Sequence, residues 1–281
     1  MKPYFSDDLV SLYLGDCIQV MQSLPSESVD AVVTSPPYAM QRKATYGGIP
    51  EAEYPAWTVA WMSEVRRLLK PDGSAIINIR PHVRNGQISD YTLRTRLALR
   101  DDGWNEVDEL IWFKRNAMPA GSTRTPRRTW ESLHWFSIHG KPWSDPKANG
   151  TPMSKDVTDR PGRLLAGKGD RAGWAHQIAG DASKFGAVAR SRDVAEINTG
   201  RRDKWAENNA PHPATYPWQL ASWAGKLVTP PGGTILDPFS GSASTGVACI
   251  RNGWDYVGID AVEEYVEMSA RRLRAEQEGV A

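Results

Sequence analysis

Residues 234–260 read TILDPFSGSASTGVACIRNGWDYVGID. TILD (234–237) is a short apolar strand and WDYVGID (254–260) is another. Between them lies a helix of small residues, 243–252, entered through Asp237-Pro238-Phe239-Ser240-Gly241-Ser242. Strand, turn, helix, strand is the unit of a parallel sheet, because parallel neighbours need a crossover between them. A glycine at the turn lets the backbone approach a ligand, and the helix start offers free N–H groups. Asp260 follows Asp237 by 23 residues, a spacing that suits an acid binding ribose hydroxyls. The pair has the character of a nucleotide site, although GxGxxG is absent.

The same alternation extends outward. At the front, SLYLGD (11–16) reads as a strand, IQVMQSLP (18–25) as a helix stopped at Pro25, and VDAVVTSPPY (29–38) opens as a strand. A dense β-branched run of this kind suits a strand buried on both faces. Residues 56–69 place Trp57, Trp61, Val65 and Leu68 on one helical face, Lys70-Pro71-Asp72-Gly73 is expected to close that helix, and SAIINIR (74–80) follows as a strand. Residues 90–100 read as helix, and VDELIWF (107–113) and SLHWFSI (132–138) as two edge strands. Helices are expected at 216–228 and 262–275. Strands alternating with helices argue for a doubly wound α/β sheet. Residues 141–211 interrupt the pattern: rich in Gly, Asp, Lys, Arg and Ala, with no long apolar period, they read as a loop-rich insert.

Composition bounds the function. A chain of 281 residues, 40% hydrophobic and 24% charged, can bury a core of ordinary size. Lys+Arg is 34 against 33 Asp+Glu, so only local clustering can attract a polyanion. Cys17 and Cys249 form no CxxC pair, which argues against a disulfide framework or a zinc site. No apolar run is long enough to span a bilayer. The opening MKPYFSDDLVSLYLGD carries acids where a signal peptide needs apolar residues, so an intracellular protein is expected. The 12 Trp outnumber the 9 Tyr and 5 Phe; packing explains most of them, and stacking on bases is the sharper alternative.

A third strand end carries chemistry: Thr34-Ser35-Pro36-Pro37-Tyr38. Two prolines fix the backbone and withhold it from a ladder, leaving the Pro36 carbonyl free to face a cleft. Ser35 adds a hydroxyl beside it and Tyr38 a flat ring. TSPPY followed much later by DPFSGS resembles the DNA amino-methyltransferases that use S-adenosylmethionine, in the permuted order of their beta class. LYLGDCIQVM, His212-Pro213-Ala214 and YVGIDAVEEYVEMSARRL fit the same family.

The resemblance implies a circularly permuted, Rossmann-like methyltransferase domain with a mostly parallel seven-stranded sheet. Its TSPPY-bearing catalytic half would span 1–140, a target-recognition insert 141–211, and its cofactor-binding half 212–281. It implies S-adenosylmethionine against Asp237, Pro238, Phe239, Ser240, Gly241 and Ser242 on the methionine side, with Pro213 near that end. Asp260 and Ala261 would meet the ribose, and Asp16 with Cys17 the adenine. Ser35, the Pro36-Pro37 corner and Tyr38 would engage an everted base in double-stranded DNA. Serine before PPY is commoner with cytosine N4; adenine N6 stays open. So does a weakly active or inactive DNA-binding relic, because the family usually has glycine where this chain has Ala243. A dinucleotide-dependent oxidoreductase and methylation of RNA or protein are weaker alternatives. The basic run 112–130 supplies Lys114, Arg115, Arg124, Arg127 and Arg128 for phosphates, with an ordinary solvated loop as the equal alternative. No metal is required. A homodimer and a cognate restriction endonuclease are left open, in the cytoplasm of a bacterial or phage-infected cell.

Overall fold

The computed structural model describes residues 1–41, 47–84, 86–117, 124–152, 188–199 and 216–280. Residues 1–144 with 193–281 form one compact unit and 145–192 a second. In the described part of the second, Asp145 accepts the Lys147 amide at 2.8 Å and Pro152 bridges Val188.

The first unit begins with β1 (Phe5–Ser6), β2 (Val10–Leu14), α1 (Cys17–Gln22) and β3 (Val29–Thr34). It continues through α2 (Tyr54–Leu68), β4 (Leu69–Ile79), the hairpin β5 (Val83–Arg84) and β6 (Gln87–Ile88), α3 (Tyr91–Asp101), β7 (Asn105–Phe113) and β8 (Trp130–Ser137). It ends with β9 (Val194–Glu196), α4 (Trp218–Val228), β10 (Thr234–Asp237), α5 (Ser244–Asn252), β11 (Asp255–Asp260) and α6 (Glu263–Val280). The sheet order is β1-β2-β11-β10-β3-β4-β8-β7-β9. Its central seven strands, β2 to β7, are the expected mostly parallel sheet; β8 runs against both neighbours, and the short β1 and β9 extend the edges. Sequence reading missed β1 and β9 and set β7 and β8 at an edge that β9 in fact extends, since two or three residues carry no period.

Helices cover both faces. Val20, Met21, Trp61, Met62, Val65, Leu68 and Leu99, from α1, α2 and α3, pack with Ala75, Ile77 and Ile79 on one side. Leu220, Val247, Cys249, Val266 and Leu273, from α4, α5 and α6, pack with Val33, Ile76, Leu133 and Ile235 on the other. Every residue of β3 is buried, as its continuous apolar run demands. Its one acid, Asp30, accepts Lys70 Nζ at 2.9 Å and the Thr234 amide at 2.8 Å. Lys70-Pro71-Asp72-Gly73 does not form the expected turn: α2 stops at Leu68, and these residues bulge within β4 opposite Asp30. A side chain at Gly73 would meet the Asp30 carbonyl at 2.9 Å. Among the described residues no helix is long and apolar enough to cross a membrane.

Strand order places the site. From β10 the chain crosses through α5 to β11; from β3 it crosses through α2 to β4, on the opposite side. Neighbouring strands whose connections diverge leave a crevice at their carboxyl ends, where ligands of such sheets bind. β10 ends at Asp237 and β3 at Thr34.

Candidate functional site

The two corners meet. Thr34 Oγ1 donates to Asp237 Oδ1 at 2.6 Å, across 203 residues of sequence. The Phe239 amide donates to the same oxygen at 3.1 Å, and Thr245 Oγ1, from α5, donates to Oδ2 at 2.7 Å. Tyr216 OH lies 3.4 Å from Oδ2 and is hydrogen-bonded to Thr245 Oγ1. Asp237 is wholly buried. Burial raises its carboxyl from 3.8 to about 6 while these donors pull it down. Asp237 therefore faces inward and ties the corners together, where the resemblance had it lining a ligand.

Around it the turn is held by its own backbone. The Ser240 amide donates to Ile259 O at 2.8 Å, and Tyr256 OH donates to Ser240 Oγ at 2.9 Å. The Gly241 amide donates to Asp260 Oδ2 at 2.8 Å, and Ser242 O accepts Arg272 at 2.7 Å. Pro238, Gly241 and Ser242 are buried. Phe239 is partly exposed and packs edge-on to Trp61, centroids 5.3 Å apart, and beside Trp57 at 5.5 Å. Asp260 Oδ1 accepts the Val262 amide at 3.0 Å, and Ala261 beside it is exposed. At the next strand end Gly15 N donates to Asp260 O at 3.0 Å. Exposed Asp16 caps α1 by accepting the Ile18 and Gln19 amides at 3.0 and 3.1 Å. Cys17 is buried, its thiol pushed up to about 12 by desolvation and then by Asp16, so it stays a neutral packing group. Cys249 is likewise a buried free thiol. Pro213, with His212 and Ala214, lies outside the described residues.

Ala243 has φ 56 and ψ 40, the left-handed region, at the entry to α5. The departure from glycine therefore falls where a side chain is strained, by about 1–2 kcal/mol. Its methyl is fully buried in the apolar cluster, which returns about 0.8 kcal/mol. Burial thus offsets a large part of the strain, which lets alanine be tolerated here. Ala243→Gly should leave the melting temperature within about 2 °C. Ala243→Val adds β-branching at positive φ and overpacks, and should cost roughly 2–4 kcal/mol; urea unfolding checks both.

On the other corner Pro36 and Pro37 are buried, and Ser35 and Tyr38 partly exposed. Tyr38 OH donates to Glu131 Oε2 at 2.9 Å and lies 3.3 Å from Asn78 Oδ1. Burial holds the phenol well above its ordinary pKa, so it is a neutral donor. Lys114 corrects the expected basic loop: only 8% exposed, it pairs with Glu131 and lies 4.0 Å over the Trp112 ring, so it faces the interior rather than a phosphate. Arg115, Arg124, Arg127 and Arg128 are exposed. Arg115 Nε donates to Glu196 Oε2 at 3.0 Å, and Arg128 donates to Pro81 O. Thr34, Asn78, Glu131, Thr245 and Tyr216 were not named from sequence as site residues. Thr34 and Thr245 sat inside the quoted stretches; Asn78, Glu131 and Tyr216 carry no local signal, because their site partners Tyr38 and Asp237 lie 21 to 93 residues away.

The strand ends thus carry the acceptors Asp16 and Asp260 and the partly exposed aromatic ring of Phe239. The Asp260 carboxylate accepts the Gly241 and Val262 amides, which fixes its orientation at the end of β11. Such a set fits a nucleoside-bearing methyl donor. Among the described residues no three His, Cys, Asp or Glu side chains converge to hold a metal.

Comparison with known proteins agrees with this geometry. A family model described as DNA methylase matches residues 29–271. The type II methyltransferase M.PvuII of Proteus hauseri is 27% identical over 290 aligned positions, 97% of this chain and 86% of the relative. M.XycI of Xanthomonas campestris pv. cyanopsidis is 29% identical over 307 positions, 96% of this chain and 89% of the relative. Among solved structures, the cytosine-N4-specific PvuII DNA methyltransferase superposes with a TM-score of 0.74 at 23% identity, covering 99% of this chain and 95% of that one. The complex of M1.HpyAVI with SAM superposes with a TM-score of 0.60 at 18% identity, covering 94% of this chain and 99% of that one.

Proposed function

The chain belongs to the DNA methylase family, and on that premise we propose that it transfers a methyl group from S-adenosylmethionine to the exocyclic N4 of cytosine in duplex DNA. One observation carries the reading: Thr34 at the Ser-Pro-Pro-Tyr corner is hydrogen-bonded to Asp237 at the Asp-Pro-Phe corner, the adjacency that a shared crevice for base and cofactor requires. Ser35 favours cytosine, in line with the cytosine-N4 specificity of the PvuII enzyme.

S-adenosylmethionine supplies the electrophilic methyl group on its sulfonium. Asp260, with Asp16 and Ala261, would hold its nucleoside end, and the 239–242 turn, with Phe239, the remainder. The protein's own work is on the amine. An exocyclic amine is a weak nucleophile because its lone pair is delocalised into the ring. Ser35 Oγ and the Pro36 carbonyl would accept its N–H groups and stabilise the positive charge that grows on nitrogen in the transition state. Collinear approach is set by the rigid Pro36-Pro37 corner. Everting the base costs a few kcal/mol, of which stacking on Tyr38 would return about 1–3. Arg115, Arg124, Arg127 and Arg128 are proposed phosphate contacts, residues 141–211 the reader of sequence, and 1–140 with 212–281 the catalytic domain. A partner endonuclease and a homodimer belong to the same reading, the first because curated relatives are type II methyltransferases.

Nucleoside mass spectrometry of DNA from a methylation-deficient bacterial host expressing the chain tests this. N4-methyldeoxycytidine is expected. N6-methyldeoxyadenosine in its place would move the substrate to adenine, and no methylated nucleoside would reject the proposal.

A further inference from the structure

At the rim of the crevice the carboxyl ends of β4 and β7 and the start of β8 bring together a charged network that the transfer chemistry does not use. Glu131, on β8, is 6% exposed. Its Oε1 is paired with Lys114 Nζ and lies 3.5 Å from Arg80 Nη1, and its Oε2 accepts Tyr38 OH at 2.9 Å. The second contact of the phenol is equally fixed. Asn78, 3% exposed, donates Nδ2 to Ser132 O at 3.0 Å, which turns its Oδ1 toward Tyr38 at 3.3 Å.

A buried carboxylate with two cations gives little net stability, since desolvation offsets the attraction. In some proteins such groups select one conformation instead. Here the conformation selected is that of one side chain. Tyr38 is partly exposed, yet its hydroxyl is held at the far end by Glu131 and Asn78. A ring held at its para oxygen keeps its long axis in place, which restricts its swing about the Cα–Cβ bond. Lys114 and Arg80 flank one carboxylate oxygen of Glu131, and the phenol donates to the other, so the acceptor is one arm of an ion-paired carboxylate.

We propose that Glu131 is a positioning residue for DNA methylation: by accepting the Tyr38 hydroxyl it orients the ring on which the everted base stacks. This rests on the proposed function and adds a residue 93 positions from Tyr38 in sequence.

A double-mutant cycle tests it, with duplex DNA from a methylation-deficient host as substrate. Tyr38→Phe keeps the ring and loses the hydroxyl; Glu131→Gln keeps the shape and loses the charged acceptor. Each should lower kcat/KM for DNA by about tenfold. The double variant should fall no further than the worse single, and calorimetric affinity for S-adenosylmethionine should hold within about twofold. If Glu131→Gln does not fold with Lys114 unpaired, the neutral pair Glu131→Gln/Lys114→Gln replaces it in the same cycle. Multiplicative losses, an equal loss of cofactor affinity, or wild-type kcat/KM in Tyr38→Phe would overturn the proposal. Full activity in Tyr38→Ala would instead overturn the stacking role of the ring, and with it the reading underneath.

Discussion

Ser35→Ala is expected to lower methyl transfer to DNA by about 100- to 1,000-fold, the usual consequence of removing one group aimed at charge developing in a transition state. Tyr38→Ala should fall at least as far, because it removes both the stacking face and the donor to Glu131. Neither change should alter the fold. Ser35 is only partly buried, at a turn whose backbone is fixed by Pro36 and Pro37 rather than by the serine side chain. Single-turnover assays with labelled S-adenosylmethionine, beside circular dichroism of each variant, check this. Wild-type turnover in both variants would refute the assignment of this corner to the base.

The second large effect is expected at Asp237. Asp237→Ala removes the acceptor of Thr34, Thr245 and the Phe239 amide in a fully buried setting. Stranded buried donors cost about 1–3 kcal/mol each, so a loss on the order of 3–5 kcal/mol is expected. Thr34→Val is the gentler probe. It cuts the Thr34–Asp237 bond with little change of volume, and should reduce kcat by about tenfold or more while Thr34→Ser restores it.

The Asp237 carboxyl also sets a pH dependence whose sign is fixed. Burial raises it from 3.8 to about 6 in the folded chain. Between those values the folded state keeps a proton that the unfolded chain has released. The stability this contributes is fully present below 3.8 and is lost as pH rises through about 6, on the order of 3 kcal/mol in all. His134 runs oppositely: burial lowers it from 6.5 to about 4, so its contribution is present above 6.5 and lost as pH falls through about 4. Asp237→Asn retains His134 and loses only the first effect. Wild type should therefore gain on the variant in urea midpoint as pH falls from 7 to 4. A constant difference would show that the carboxyl does not titrate there.

What the sequence could and could not disclose follows from range. β3 and β10 were legible because a strand buried on both faces is a continuous apolar run, and each ends in a proline-bearing corner whose chemistry is local. Ala243 was legible as a departure, but whether it mattered turned on its φ, which residue types alone do not give. The bulge at Lys70–Gly73 looks like a turn in sequence, since Pro, Asp and Gly favour both; only pairing across from Asp30 distinguishes them. Lys114 lies within a run of cations and was grouped with them. Its burial depends on Glu131, 17 residues on, across the β7–β8 pair. The Tyr38–Glu131 contact spans 93 residues and three strand ends. No period or motif announces such a pairing.

The central claim is spatial: methyl donor and target base share the crevice between β3 and β10. A crystal structure of the chain with S-adenosylmethionine tests it most directly. The account predicts the nucleoside beside Asp260, with the sulfonium methyl turned toward the Pro36 carbonyl across a gap that seats one amine nitrogen, about 3–3.5 Å from the methyl carbon. Cofactor bound at another edge of the sheet, or with its methyl turned away from the Ser35–Tyr38 corner, would contradict it.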